Sequence, residues 1–134
     1  MENQQTLRAY LLAWAADRFG TEPEHLWAKY PNYAVLRRQD NKKWYAVLMD
    51  VPRARLGLPG EGSVDILDIK CDPRLIGSLR NGPGFLPAYH MSKSSWITVL
   101  LDGTVPQEEI TALLEMSYDL AGGRRSASSA ALQV

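Results

Sequence analysis

One cysteine, two phenylalanines and two histidines are all that 134 residues contain of those types, and the basic and acidic side chains cancel at 15 each. Each shortage removes a class of protein. A lone Cys71 excludes an intrachain disulfide framework and any Cys-rich zinc site, and its place between Lys70 and Asp72-Pro73 reads as a buried structural thiol. His25 and His90 have no second ligand at metal-binding spacing, and no HExxH, CxxC or clustered Asp pattern accompanies them, so no metal site is expected. No apolar run approaches the roughly 20 residues of a bilayer span. The polar start Met1-Glu2-Asn3-Gln4-Gln5 lacks a signal pattern, which leads us to expect a cytoplasmic protein. Zero net charge argues against a protein built only to coat nucleic acid. Gly57-Leu58-Pro59-Gly60-Glu61-Gly62 contains a proline and precedes a strand, so it is no phosphate loop. Ser92, Ser94 and Ser95 near His90 lack an elbow motif and an orienting acid, so no catalytic residues are assigned and no cofactor is expected.

What remains is an ordinary globular composition, 46% hydrophobic and 22% charged, on a chain long enough for one domain with a real core. Leu7, Leu11, Trp14 and Arg18 follow helical spacing, with Tyr10 and Ala15 beside the stripe, and predict a helix from Gln4 to Phe19 capped by Asn3 and stopped by Gly20. Strands are expected at Tyr33–Arg38, Lys43–Asp50, Val64–Lys70 and Trp96–Asp102, with His25–Lys29 as a short edge strand before Pro31. In the second, Trp44, Ala46 and Leu48 alternate with Tyr45, Val47 and Met49; a strand apolar on both faces is central or covered on both sides. In the third, Val64, Ile66 and Asp68 alternate with Asp65, Leu67 and Ile69. Val51–Ser63, rich in glycine and proline, reads as a mobile loop bearing Arg53, Arg55, Leu56 and Leu58. Asp72 caps a short helix from Pro73 to about Asn81. The last helix opens with Thr104 and Gln107 as a capping box and Pro106 in its first turn, buries Ile110, Leu113, Leu114, Ser117 and Tyr118, and stops at Gly122-Gly123. Arg124–Val134 reads as a disordered tail.

This order predicts one α+β domain over residues 1–121, followed by a 122–134 tail. It is a single twisted, mainly antiparallel sheet of four to five strands, with N- and C-terminal helices on one face and a short inserted helix.

Charge is unevenly spread. From Lys29 to Arg55 there are seven basic residues against two acidic ones, whereas Asp102 to Asp119 holds five acidic and no basic ones. Arg37 and Arg38 lie on one arm of an Asp40-Asn41 hairpin and Lys42 and Lys43 at its mouth. With Arg53 and Arg55 they compose a candidate phosphate-gripping rim. A second candidate is a pocket for a small anion around Trp44, His90, Lys93 and Trp96. A third reading is a protein-interaction module or self-associating scaffold using the Leu56/Leu58 loop and the acidic last helix.

Several segments together resemble the YjbR/MmcQ family of small bacterial proteins: Pro31-Asn32-Tyr33-Ala34-Val35, Asp40-Asn41-Lys42-Lys43-Trp44, Val64-Asp65-Ile66-Leu67-Asp68-Ile69-Lys70, Pro87-Ala88-Tyr89-His90-Met91-Ser92-Lys93, Trp96-Ile97-Thr98-Val99 and Ser117-Tyr118-Asp119-Leu120. The resemblance runs to about Leu120. It implies a compact α+β fold similar to type III secretion chaperones and related in shape to the frataxin-like group. It also implies non-catalytic DNA binding through a double wing of β-hairpins, the label such proteins commonly carry.

Overall fold

The computed structural model of the chain describes residues 6–123. Asn3 as a cap, a helix start at Gln4, and the tail with Arg124 and Arg125 all lie outside the described residues. Within them, α1 (Leu7–Phe19) begins after Thr6, whose side chain accepts from the Ala9 amide, and ends at Gly20 in the left-handed region. The strands are β1 (Ala34–Arg37), β2 (Trp44–Pro52), β3 (Ser63–Lys70), β4 (Phe85–Pro87) and β5 (Trp96–Leu100). Two further helices are α2 (Pro73–Arg80), capped by Asp72, and α3 (Gln107–Ala121). The sheet runs β1-β2-β3-β5-β4 and every neighbouring pair is antiparallel, the α+β architecture expected.

The details depart from expectation where local pattern is a poor guide. β4 is three residues long and ends in proline, too brief to show a period. His25–Lys29 forms no strand: Glu24 alone bridges Val35, and the chain then turns through Tyr30 N–H to Trp27 O and Tyr33 N–H to Tyr30 O. The capping box before α3 is not formed. Pro106 occupies the cap position with no side-chain bond, and the Thr104 amide donates to Asp102 Oδ1 at 3.0 Å. The Val51–Ser63 segment is folded, with a 3₁₀ turn at Arg53–Leu56 closed by Arg53 N–H to Gly62 O and Leu58 N–H to Arg53 O.

Each face of the sheet carries its own apolar core. On one side Leu11, Ala15, Ile110 and Leu114 of α1 and α3 pack on Leu36, Tyr45, Leu48, Leu67, Ile97 and Val99. On the other, Val35, Val47, Met49, Ile66 and Leu100 are roofed by Trp27, Tyr33, Leu56, Leu58, Leu86 and Tyr89, all from loops and short elements. Helices therefore cover one face, and loop side chains cover the other. Cys71 is buried at the end of β3, where burial pushes its thiol up to about 11, as a structural thiol should be.

A β-bulge in β2 decides which side chains reach which core. Leu36 pairs with Ala46 but Arg37 pairs with Trp44, leaving Tyr45 as the extra residue. Tyr45 and Ala46 thus both face the helices, and Trp44 swings to the loop-covered face with Val47 and Met49. This reverses the simple alternation expected for Trp44. The bulge frees the Tyr45 carbonyl, and buried Ser117 takes it up: its hydroxyl donates to Tyr45 O at 2.5 Å and accepts from Lys70 N–H at 2.8 Å. The borders of the sheet are short. Glu24 exchanges both backbone hydrogen bonds with Val35 beside β1, and Pro87 ends β4.

Candidate functional site

The loop-covered face holds a cavity of ≈ 290 Å³ between the 24–33 segment, β2, the Arg53–Leu56 turn and the loop after β4. Trp27, Tyr30, Tyr33 and Trp44 form its walls, Val47 and Met49 its floor, and Arg55, His90 and Met91 complete the lining. The rings brace one another. Trp27 meets Trp44 edge-on at 6.0 Å and Tyr33 at 5.8 Å, while Tyr30 and Tyr33 stack at 4.7 Å. Offset and edge contacts of this kind hold aromatic side chains in fixed poses. Burial, followed by the neighbouring Tyr89, raises the Tyr33 hydroxyl above its ordinary value, so it stays a neutral donor.

Two residues stand at the rim, one set by its backbone and one by a side-chain hydrogen bond. His90 adopts φ 63°, in the left-handed region that non-glycine residues seldom occupy. Its ring packs on Tyr89 at 4.0 Å. Arg55 is raised above the usual guanidinium value by its hydrogen bond to Tyr89 and remains a cation. Arg55 and His90 also line a second cavity of ≈ 370 Å³, whose other walls include Leu86, Pro87, Tyr89 and Lys93. The Lys93 ammonium donates to Ala88 O at 2.9 Å.

Beneath that second cavity's loop lies Asp68. It stands opposite Val47 on β2 and Thr98 on β5, on the same face as the cavities, and is fully buried. Oδ1 accepts from the Thr98 hydroxyl at 2.5 Å, and that hydroxyl accepts from the Tyr89 amide at 2.9 Å. Oδ2 is buried without a hydrogen-bond partner. Burial pushes the carboxyl up to about 7, against the opposing pull of the Thr98 hydroxyl, the Lys93 charge and the Tyr89 amide.

The residues expected to compose a phosphate-gripping rim are distributed over both faces. Arg37 shares the face of Trp44 and pairs with Glu24 at 2.9 Å. Arg38 turns to the helical side, with its side chain only 16% exposed. It holds Asp40 through two bonds at 2.9 and 2.7 Å, donates to Tyr118 O at 2.8 Å, and lies 4.1 Å over the Tyr118 ring. The Arg38 hydrogen bond in turn draws the Asp40 carboxyl down to about 2. Lys42 and Lys43 are exposed in the hairpin turn, with Lys42 at φ 64°. Arg53 lies within the field of Asp102. Of the residues expected around a small-anion pocket, Trp44 and His90 line the first cavity and Lys93 the second. Trp96 lines neither; it is buried beneath the Lys70 ammonium, 5.2 Å from its ring. Trp27, Tyr30, Tyr33 and Asp68 were not expected in a site. Their signals were aromatics at three-residue spacing in a non-helical segment, and an acid on the apolar face of a central strand.

Among the described residues no His, Cys, Asp and Glu group could hold a metal ion, and no helix is long and apolar enough to cross a membrane. Fold and cavity together define a small α+β domain with an open five-stranded sheet, helices on one face and an aromatic-lined site on the other. The YjbR family model matches residues 17–120, and the chain belongs to that family. The uncharacterized protein YyaQ of Bacillus subtilis (strain 168) is 49% identical over 104 residues, covering 78% of this chain and 88% of that one. A crystal structure of a Pseudomonas syringae protein superposes with a TM-score of 0.83 at 48% identity, over 85% of this chain and 97% of that one. A crystal structure of a Deinococcus radiodurans protein with a DUF419 domain gives 0.67 at 26% identity, over 97% and 89% respectively.

Proposed function

We propose that this protein is a non-catalytic binding module for a small planar anion, taken up in the aromatic cavity. The observation that carries this reading is the convergence of Trp27, Tyr30, Tyr33 and Trp44 on one cavity with Arg55 and His90 at its rim. A concave, mostly apolar site with a few placed polar groups is the usual form of a small-molecule site, and pre-braced rings reduce the ordering cost of binding. Thermal denaturation against aromatic carboxylates and phosphates tests it. A ligand at 100 times its Kd adds about 2.7 kcal/mol of stability, and Trp44→Ala or Arg55→Ala should remove that gain. No stabilisation by any such compound would refute the reading.

A nucleic-acid reading draws support from the exposed Lys42 and Lys43, and from Lys43 lying near enough to help burial lower Lys70. Glu24 and Asp40 already offset Arg37 and Arg38, so this set is smaller than the sequence suggested. It predicts weak, sequence-independent retardation of DNA that fades steeply with salt and is lost in Lys42→Glu/Lys43→Glu. Retardation unchanged by that double substitution would reject it.

A further inference from the structure

We infer that the ligand is a phosphate ester, its ring in the aromatic cavity and its phosphate in the second cavity among Arg55, His90 and Lys93. This rests on the reading of the aromatic cavity as a ligand site.

The two cavities share Arg55 and His90 as common walls. A molecule whose ring fills the first would therefore direct a substituent past those two side chains into the second. A carboxylate at the rim would be served by the shared pair alone. The second cavity adds a third cation, Lys93, and none of its lining side chains is acidic. Three cationic or protonatable groups from two separate segments match a dianion with three acceptor oxygens better than a monoanion. The donors have capacity to spare: Lys93 commits one of three N–H groups to Ala88 O, and Arg55 is steadied by Tyr89. The walls Leu56, Leu86, Pro87 and Ala88 are apolar, which strengthens each charge-assisted bond relative to open water. Asp68 feels the Lys93 ammonium from beneath the loop. It lies in the protein interior, outside the cavity's lining, and burial raises its carboxyl. His90 is held in its left-handed conformation at the junction, where strain of this kind is retained when a side chain must be aimed.

Calorimetry and amide NMR with two matched pairs, phenol against phenyl phosphate and adenosine against adenosine 5′-monophosphate, with benzoate as the carboxylate arm, test the inference. In at least one pair the phosphate ester is expected to bind at least about tenfold tighter than its phosphate-free partner, and tighter than benzoate. Lys93→Ala should bring the ratio of each ester's Kd to that of its phosphate-free partner to about one, and Lys93→Arg should restore the difference. Trp44→Ala should weaken both members of the pair. If the ring compounds bind and the phosphate adds less than about twofold, or if its gain survives Lys93→Ala, this inference fails and the aromatic-cavity reading stands. If no compound binds, both fail.

Discussion

Replacing Asp68 by asparagine isolates the buried carboxyl beneath the 88–93 loop. Burial moves that group from an ordinary 3.8 to about 7. At roughly 1.4 kcal/mol per pH unit, the difference amounts to about 4 kcal/mol, a large share of the stability of a small domain. The sign follows from proton binding. Between about pH 4 and pH 7 the folded protein holds a proton that the unfolded chain has released, so stability falls as pH rises through that window and levels off above it. The substituted carboxamide would keep an acceptor for Thr98 and place an uncharged amide NH2 where Oδ2 now has no partner. Any cost of leaving that NH2 donor unpaired, about 1–3 kcal/mol, does not vary with pH. Urea unfolding of both proteins at a series of pH values, read by linear extrapolation, therefore reports a difference in which the other carboxylates cancel. The groups facing Asp68 are the Lys93 ammonium, the Thr98 hydroxyl and the Tyr89 amide, and all are present in both proteins. The gap should shift in favour of Asp68→Asn by about 3–4 kcal/mol from about pH 4 to about pH 8. A gap that stays constant across the range would refute the argument from burial.

Two further outcomes follow from other parts of the molecule. Ser117→Ala should cost about 2–4 kcal/mol in denaturant unfolding, because the Tyr45 carbonyl and the Lys70 amide both lose their buried partner; a loss below about 0.5 kcal/mol would mean that water replaces the hydroxyl. His90→Gly should leave stability level or raise it by about 1 kcal/mol, since glycine takes positive φ without strain. The same change should weaken binding of phenyl phosphate in calorimetry, separating a positioned side chain from a merely tolerated one.

The layered architecture was readable because it depends on composition over many residues. Leu11 and Ala15 on α1, the β-branched and aromatic run of β2, and Ile110 and Leu114 on α3 are each signalled by their own neighbours. The site was less readable because it depends on events that link distant segments. The bulge that turns Trp44 to the loop-covered face arises from the register between β1 and β2, which no period within β2 reveals. Arg37 finds Glu24 thirteen positions away, and Arg38 leans on Tyr118 eighty positions away, so clustering along the chain overstated the free charge. Trp27 and Tyr30 sit in a turning segment where neither helical nor strand periodicity applies, and only the fold brings them to Trp44. Asp68 did break the apolar pattern of its strand face. An acid on a buried face signals something unusual, but the pairing with Thr98 becomes visible only when β3 and β5 lie side by side.

With Glu24 occupying Val35 at one border and a three-residue strand closing in proline at the other, an incoming extended polypeptide has almost no ladder to continue. Amyloid-like templating and donor-strand exchange are thereby discouraged by backbone geometry, to which the edge strand adds the charge of Arg37. Among the described residues, the faces and loops offer a second copy more surface than either sheet border does.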